Sequence, residues 1–241
     1  MVILTASNSN LTFFKDMWVY NIEKLGYKYS HINLSEDSEL KKTGYYNYNP
    51  NSLYMPKALH KPQIIGEALD KLPIGELLVY LDIDAIPIRK FDEVDILDYD
   101  IGVTKRINGD DTHIGCVPMV GMINAGVIFF RNTPSVRKFV QNWQDVCNRL
   151  GGDQYALNEL LLPEGKQYWH PTCNNRMHFH LNDFPDKIVS QEQDLIIKIF
   201  PSELYNCYRL DFLTDKTKIV HLKGHHKLLD NNILKTYVEI S

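Results

Sequence analysis

The sequence predicts an α/β fold, a single domain over residues 1–241 in which helices flank a central, mostly parallel β-sheet. Three observations carry this prediction. Short apolar runs alternate along the chain with segments whose apolar residues recur at helical spacing. The run LLVYLDID at 77–84 is apolar on both faces, as in a parallel strand covered by helices on either side. Finally, 241 residues with 44% hydrophobic content suffice for one sizeable core.

The first part of the chain has the pattern strand, helix, strand, loop. MVILTA at 1–6 predicts a buried first strand, followed by the polar loop SNSN. Segment 11–26 predicts a helix that ends at Gly26, a residue suited to the left-handed conformation that closes helices. YKYSHINL at 27–34 predicts the second strand, and the turn-rich, aromatic 44–56 a loop. The apolar face of the first helix comprises Leu11, Phe14, Trp18, Ile22 and Leu25.

Helix and strand continue to alternate in the middle of the chain. KPQIIGEALDKL at 61–72 predicts a helix with Pro62 in its first turn, where the missing N–H costs nothing. Further strands are predicted at 77–84, 100–105 and 126–132. Together with the first two strands, these segments supply the sheet.

The last part of the chain begins with a helix start signal. Thr133 and Pro134 predict the N-cap and first position of a helix that stops at Gly151-Gly152. DQYALNELLL at 153–162 predicts another helix, and KIVHL at 218–222 a late strand. Residues 165–210 show no clear period and are predicted to be irregular.

Composition excludes several classes of protein. The formal net charge is −4, from 26 basic and 30 acidic residues, without the clustered Lys and Arg of a nucleic-acid binder. The four cysteines (Cys116, Cys147, Cys173 and Cys207) are far apart, so neither a zinc ribbon nor a disulfide framework is indicated. No apolar stretch has the length of a transmembrane segment, and no secretory signal is evident. These features predict a cytoplasmic protein.

Two aspartates stand at the end of the apolar run 77–84. Residues i and i+2 of an extended segment point to the same side, so Asp82 and Asp84 can face one ligand. In α/β sheets ligands bind beyond the carboxyl ends of the strands. Hard carboxylate oxygens select Mg²⁺ or Mn²⁺. The alternative is structural: one aspartate caps a turn and the other pairs with a cation such as Arg89.

Three later segments each have a structural and a functional interpretation. INAGVIFF at 123–130 is either a strand that packs closely at its glycine or a sugar-binding strand, in which Asn124 bonds hydroxyls and Ala125 and Gly126 leave room for the ring. In GGDQ, Asp153 is a good N-cap for the helix that follows. HLKGHHK at 221–227 fits HxxGxxK. His221 ends a strand there and is either an ordinary buried histidine or a third metal ligand.

Five segments in order resemble a GT-A glycosyltransferase, most closely the glycogenin and lipopolysaccharide-galactosyltransferase type. They are LTAS, YLDID, NAGVIFFRN, GDQYALNELL and HLKGHHK, which extend from residue 4 to residue 227. The resemblance implies a single GT-A, Rossmann-like domain and a metal-dependent transfer from a nucleotide-diphosphate sugar, a UDP-sugar, to an acceptor hydroxyl. The acceptor itself, a glycan, lipid or protein, is left open.

The resemblance also implies roles for individual residues. Asp82, Asp84 and His221 would hold Mn²⁺ or Mg²⁺, while Asp153 and Gln154 would be catalytic, with Gln154 on the face of the anomeric carbon opposite the leaving phosphate. The remaining donor-binding positions would be Thr5, Ala6, Ser7, Lys61, Ile83, Asn124, Ala125, Gly126, Gly224 and Lys227.

The resemblance implies retention of anomeric configuration, by front-face attack or with assistance from Gln154. An inverting enzyme would instead need a general base, for which Asp110, Asp111 or Asp183 could serve. The chain departs from the pattern in two places: Ser7-Asn8 replace a position that is often acidic, and no Pro-Trp follows Lys227. These departures leave open the branch of the family, the general base and the acceptor.

Two other functions remain open. A haloacid-dehalogenase-like phosphatase also ends a strand in DxD, with the first Asp as nucleophile. That site normally follows the first strand, whereas here another strand comes first. An inactive sugar-nucleotide-binding module is the second alternative, against which the complete set Asp82, Asp84 and His221 argues. His178 and His180 could hold a second metal but are typical of a structural or acceptor-facing loop.

Overall fold

The fold is seen in a computed structural model, which describes residues 1–7, 11–34, 60–105, 123–150, 152–161, 187–190, 194–208 and 212–222. Within these ranges nine strands form two sheets. The strands are β1 (Val2–Ser7), β2 (Lys28–Asn33), β3 (Leu77–Leu81), β4 (Ala85–Pro87), β5 (Ile101–Lys105), β6 (Ile123–Arg131), β7 (Lys187–Ser190), β8 (Leu195–Phe200) and β9 (Ile219–His221).

The central sheet has seven strands in the order β2-β1-β3-β6-β5-β8-β7, counted over the described residues. Strands β1, β2, β3, β5 and β8 run in one direction, and β6 and β7 run in the opposite direction. The prediction of a mostly parallel sheet is thereby confirmed. Because β6 is antiparallel to β3, the amino end of β6 lies beside the carboxyl end of β3, and Val127 pairs with Leu81.

The helices cover both faces of this sheet. They are α1 (Thr12–Leu25), α2 (Lys61–Lys71), α3 (Pro134–Leu150), α4 (Asp153–Leu161) and the short α5 (Ser202–Tyr205), with a 3₁₀ turn at Asp92–Asp95. Gly26 ends α1 with φ of 75°, as predicted. The Thr133 hydroxyl accepts a hydrogen bond from the N–H of Val136 and so caps α3.

Strand β3 divides the core into two layers. Leu78 and Tyr80 point into a cluster with residues of α2, α3 and α4, whereas Leu77 and Val79 point into a second cluster with α1. The second cluster also contains residues of a two-stranded sheet in which β4 pairs antiparallel with β9. Successive side chains of a strand alternate between faces, so a strand buried on both sides is apolar throughout. The expectation of a strand buried on both faces is confirmed for Leu77–Leu81. The expectation that the strand continues to 84 is wrong, because 82–84 follow the strand and turn into β4.

The prediction that residues 165–210 are irregular is wrong for part of the segment. Strands β7 and β8 and helix α5 all fall within it. Strand β8 pairs in parallel with β5, with Ile101 opposite Ile197. The run LIIKIF is short and contains a single polar residue, Lys198, so it shows no clear alternation that would predict a strand. Among the helices in the described ranges, none combines the length and apolar character required to cross a membrane.

Candidate functional site

The two aspartates and His221 meet where β3 ends. The N–H of Asp82 donates to the Gly126 carbonyl of β6 at 2.8 Å, and the chain then turns through Asp84 into β4. Strand β4 pairs with β9 so that Ala85 lies opposite His221. The N–H of Leu222 donates to the carbonyl of Asp84 at 2.8 Å, which holds the end of β9 against the turn. Pairing of β4 with β9 therefore brings position 221 to the DxD turn.

These three side chains form a group that could hold a metal ion. One ligand atom from each of Asp82, Asp84 and His221 lies within 4.8 Å of the others. The His221 Nε2 is 3.4 Å from the Asp84 Oδ1, and both side chains are buried. Carboxylate oxygens suit Mg²⁺ and Mn²⁺, and an imidazole nitrogen favours Mn²⁺ as the transition metal of the two. The donor set therefore fits the predicted ion.

Lys61 joins two of the predicted site segments. Its Nζ lies 2.7 Å from an oxygen of Asp153 and 3.0 Å from an oxygen of Asp82, and it donates to the Ala125 carbonyl at 2.9 Å. The same Nζ lies 5.1 Å from the centre of the Tyr80 ring. Burial acts to lower the pKa of Lys61, but the charges of Asp153 and Asp82 outweigh it and hold this pKa well above its usual value. Lys61 is therefore a permanent cation that ties the DxD turn to the start of α4.

Asp153 is the first residue of α4. The sequence predicted it at the N-cap, which is one position earlier. Its carboxylate faces Lys61. The next residue, Gln154, has its Oε1 3.2 Å from the N–H of Ala125 and 3.3 Å from the Nδ2 of Asn124. Because the backbone N–H can only donate, this oxygen is the acceptor. The oxygen that a Gln154-assisted reaction would use is thus already engaged by two donors.

The structure changes the reason for a small residue at position 126. A Cβ built on Gly126 would overlap Cε1 of His221 and would lie 2.8 Å from its Nδ1. The imidazole of His221 therefore fills the space in which a side chain of residue 126 would begin. Contact of Gly126 with a sugar ring stays a prediction. The Ala125 side chain is buried in the core and lines no open space.

Positions 5–7 run alongside the end of β3, because Leu4 pairs in parallel with Tyr80. The Thr5 hydroxyl is fully buried and has no hydrogen-bond partner among the described residues, while the Ser7 hydroxyl lies 2.8 Å from the His31 Nε2. Ala6 is partly buried. The side chain of Ile83 packs in the core, so only its backbone can face a ligand. The predicted positions that lie outside the described residues are Gly224, Lys227, Asp110, Asp111, Asp183, His178 and His180.

The sequence analysis missed Asn206, which contacts His221, and Thr104, which contacts Asn206. The Oδ1 of Asn206 lies 2.8 Å from the His221 Nδ1, and the Nδ2 of Asn206 lies 2.6 Å from the Thr104 Oγ1 and 2.9 Å from the Asn124 Oδ1. Asn206 follows α5, in the segment predicted to be irregular. A lone asparagine with no motif around it carries no signal in the sequence.

The same fold occurs in solved structures of glycosyltransferases. A glycosyltransferase involved in the glycosylation of the major capsid of PBCV-1 matches with a TM-score of 0.55 at 13% identity, over 100% of this chain and 98% of that chain. Galactosyltransferase LgtC, in complex with donor and acceptor sugar analogs, matches with a TM-score of 0.52 at 13% identity, over 100% and 96%. GlyE of Streptococcus pneumoniae TIGR4 matches with a TM-score of 0.56 at 12% identity, over 98% of this chain and 60% of that chain.

No protein-family model and no curated protein sequence matches the chain. At identities this low, the structural likeness establishes the fold and leaves the activity to be argued from the site. The chain has the GT-A-like fold of these solved structures.

Proposed function

We propose that this protein is a metal-dependent glycosyltransferase that moves a sugar, a hexose, from a UDP-sugar to an acceptor hydroxyl with retention of configuration. One observation carries the proposal: Asp82, Asp84 and His221 converge at the ligand-binding edge of a GT-A-like sheet. Two carboxylates and a buried imidazole form a site that a divalent cation would neutralise. A structural role accounts for Asp82, which pairs with Lys61, but it does not account for the convergence of buried Asp84 and His221 on the same point.

Asp82, Asp84 and His221 would hold Mn²⁺, or Mg²⁺, at this edge. When bound, the ion would supply the charge neutralisation that a departing diphosphate needs. In the reaction, the bond between the anomeric carbon and the diphosphate breaks with its electron pair leaving on UDP. A new bond forms to the acceptor oxygen, whose proton passes to the departing phosphate in a front-face path.

The chain's own residues would bind and orient the donor. Lys61 holds the Asp153 carboxylate at 2.7 Å, which leaves its other oxygen able to accept hydrogen bonds from sugar hydroxyls. Gln154 is anchored through its Oε1, so its amide N–H groups are the part that can reach a ligand. This arrangement favours a positioning role for Gln154 and a front-face reaction over a covalent intermediate on the amide oxygen.

The phosphatase alternative receives no support from this geometry. The 3.0 Å contact between an oxygen of Asp82 and the ammonium of Lys61 leaves the other oxygen able to face a phosphate or a metal ion, so this contact does not separate a nucleophilic from a metal-binding role. The turn, however, follows β3, the third strand of the chain. An inactive sugar-nucleotide-binding module would have the same site. Only a turnover assay distinguishes it from an active transferase.

The test combines binding and turnover with the full chain. Thermal unfolding is measured with UDP, Mn²⁺ and both together, and UDP release is then followed with a panel of UDP-sugars. We expect UDP to stabilise the protein more with Mn²⁺ than without it, and at least one UDP-hexose to be turned over, with loss of turnover in EDTA. Binding without turnover across the panel would identify a binding module, and phosphate release from a phosphomonoester would identify a phosphatase.

A further inference from the structure

His221 ends a chain of buried side-chain amides. Its Nδ1 lies 2.8 Å from the Oδ1 of Asn206, whose Nδ2 lies 2.9 Å from the Oδ1 of Asn124. The Asn124 oxygen also accepts the backbone N–H of Gly126 at 2.8 Å. The Nδ2 of Asn206 lies 2.6 Å from the Thr104 hydroxyl as well. All four side chains are buried, and those of Asn206 and Thr104 are fully so.

The direction of each hydrogen bond in this chain follows from one fixed donor. The N–H of Gly126 can only donate, so the atom of Asn124 that faces it is the amide oxygen. An amide oxygen can only accept, so Asn206 faces Asn124 with its NH₂ group and turns its own oxygen toward the ring. His221 must then donate to that oxygen, which places a proton on Nδ1.

We propose that Asn206 is a positioning residue that sets the tautomer of His221 and so presents an unprotonated Nε2 to a metal ion. A neutral imidazole carries one N–H, and a proton on Nδ1 leaves the lone pair on Nε2. Metal binding needs that lone pair. The inference rests on the proposed function, because it requires that Asp82, Asp84 and His221 hold the cation.

The opposite tautomer has a ready partner at the site. The His221 Nε2 lies 3.4 Å from the Asp84 Oδ1, and a carboxylate accepts a hydrogen bond from an N–H. If Nδ1 lost its acceptor, the proton would move to Nε2 and point at Asp84. The ring would then present an N–H where the ion needs a lone pair. Asp84 therefore favours the tautomer with a proton on Nε2, and Asn206 favours the tautomer with a proton on Nδ1.

The tautomer can be read in the metal-free protein, without any assay of activity. The full chain is labelled with ¹⁵N-histidine, and long-range ¹H–¹⁵N spectra are recorded roughly two units above the ordinary histidine pKa. The signals of His221 are assigned by their loss in His221→Ala. We expect a protonated Nδ1 in the wild type and a protonated Nε2 in Asn206→Leu, an apolar replacement of similar size.

Two further variants separate the acceptor from general packing. Asn206→Asp keeps an oxygen facing Nδ1, so we expect Nδ1 to stay protonated. Its second oxygen can accept from the Thr104 hydroxyl but also faces the Asn124 oxygen, so this variant should be less stable than the wild type. Thr104→Val removes another hydrogen bond of Asn206 but leaves the acceptor in place, so we expect the wild-type tautomer there too. A proton on Nε2 in the wild type overturns the proposal even if a variant fails to fold, and a proton on Nδ1 in folded Asn206→Leu overturns it as well.

Affinity for Mn²⁺ alone, measured from the electron paramagnetic resonance signal of the free ion, distinguishes the two proposals. We expect Asn206→Leu to weaken binding about 10–100-fold, as typical for a residue that orients a ligand, and Asn206→Asp to restore most of it. Unchanged affinity in His221→Ala would show that the metal site itself is misassigned. Weak binding in His221→Ala with unchanged binding in Asn206→Leu would refute the role of Asn206 alone.

Discussion

The imidazole of His221 lies where the side chain of residue 126 would begin. A Cβ on Gly126 would overlap the ring and would approach the Asn124 Oδ1 to 2.9 Å. The backbone N–H of Gly126 donates to that same oxygen. One glycine therefore admits the third ligand of the candidate metal site and anchors Asn124, the amide that faces Asn206 behind the ring.

The first prediction concerns this close approach. We expect Gly126→Ala to lower the affinity for Mn²⁺ about tenfold or more, because the His221 ring must leave its present position beside Gly126. Overpacking should also cost about 1–3 kcal/mol of unfolding free energy. The affinity is measured by titrating metal-free protein with Mn²⁺, and the unfolding free energy by denaturant unfolding of the metal-free protein.

Gly66→Ala in α2 is the matched control. Its Cβ would lie 3.6 Å from the Val140 Cγ1, an ordinary contact, and alanine is favoured over glycine in a helix by about 1 kcal/mol. Wild-type affinity for Mn²⁺ is expected there. If Gly126→Ala also binds Mn²⁺ as the wild type does, the ring of His221 is not held by this contact.

The second prediction concerns the buried carboxylate of the DxD turn. Asp84→Asn preserves volume but removes one ligand charge, so we expect affinity for Mn²⁺ to fall by more than the roughly 10–100-fold typical of outer residues. The exposed Asp98→Asn is the control, because it makes the same change in net charge away from the site. Calorimetric titration of both variants checks this. Equal affinity in the two would place the ion elsewhere.

The third prediction concerns Lys61. Replacement by methionine leaves the carboxylates of Asp153 and Asp82 without their shared cation. We expect a loss of about 3 kcal/mol, at the low end for a broken buried pair because the Asp82 side chain is 30% exposed and can be hydrated. In a chain of this size that lowers Tm by roughly 6–12 °C.

The Tm of Lys61→Met measured with Mn²⁺ provides a second test of the role of Lys61. A cation bound at Asp82 would replace part of the missing charge, so Mn²⁺ should raise the Tm of this variant more than that of the wild type. Lys61→Arg, which keeps the charge, should lose less stability. If Lys61→Met unfolds at the wild-type temperature, the contacts of Lys61 contribute nothing net to the fold.

The fourth prediction concerns stability away from the site. The Nδ2 of Asn132 lies within hydrogen-bond distance of three carbonyls, those of Leu69, Leu72 and Pro73, and its Oδ1 accepts from Arg137. Asn132 is fully buried, so Asn132→Ala should cost about 2–3 kcal/mol, because it removes the donor to the Leu72 carbonyl and the acceptor of Arg137. The carbonyls of Leu69 and Pro73 keep other donors. The exposed Gln141→Ala is the control, with an expected change within about 0.5 kcal/mol. Urea unfolding measures both, and equal stabilities would contradict the prediction.

Much of the fold could be predicted because its signals are local. The apolar run before Asp82, the cap at Thr133 and the left-handed Gly26 each depend on a few neighbouring residues, and each is found as predicted. Strand β8 was missed because Leu195–Phe200 is short and its partner β5 lies far away in sequence. Pairing between distant strands leaves little trace in local periodicity.

In the candidate site, too, some features were predictable from the sequence and others depend on tertiary contacts. The sequence by itself determined that Asp82 and Asp84 follow a doubly buried strand, because alternation and burial are written in consecutive residues. The tertiary structure decided that Lys61 pairs with both Asp82 and Asp153, and that His221 fills the space beside Gly126. These contacts depend on how helices and strands pack across the sheet, and packing joins residues whose separation along the chain carries no periodic signal. The orientation of the His221 ring also depends on the tertiary structure, because it follows from hydrogen bonds among buried amides that are distant in sequence.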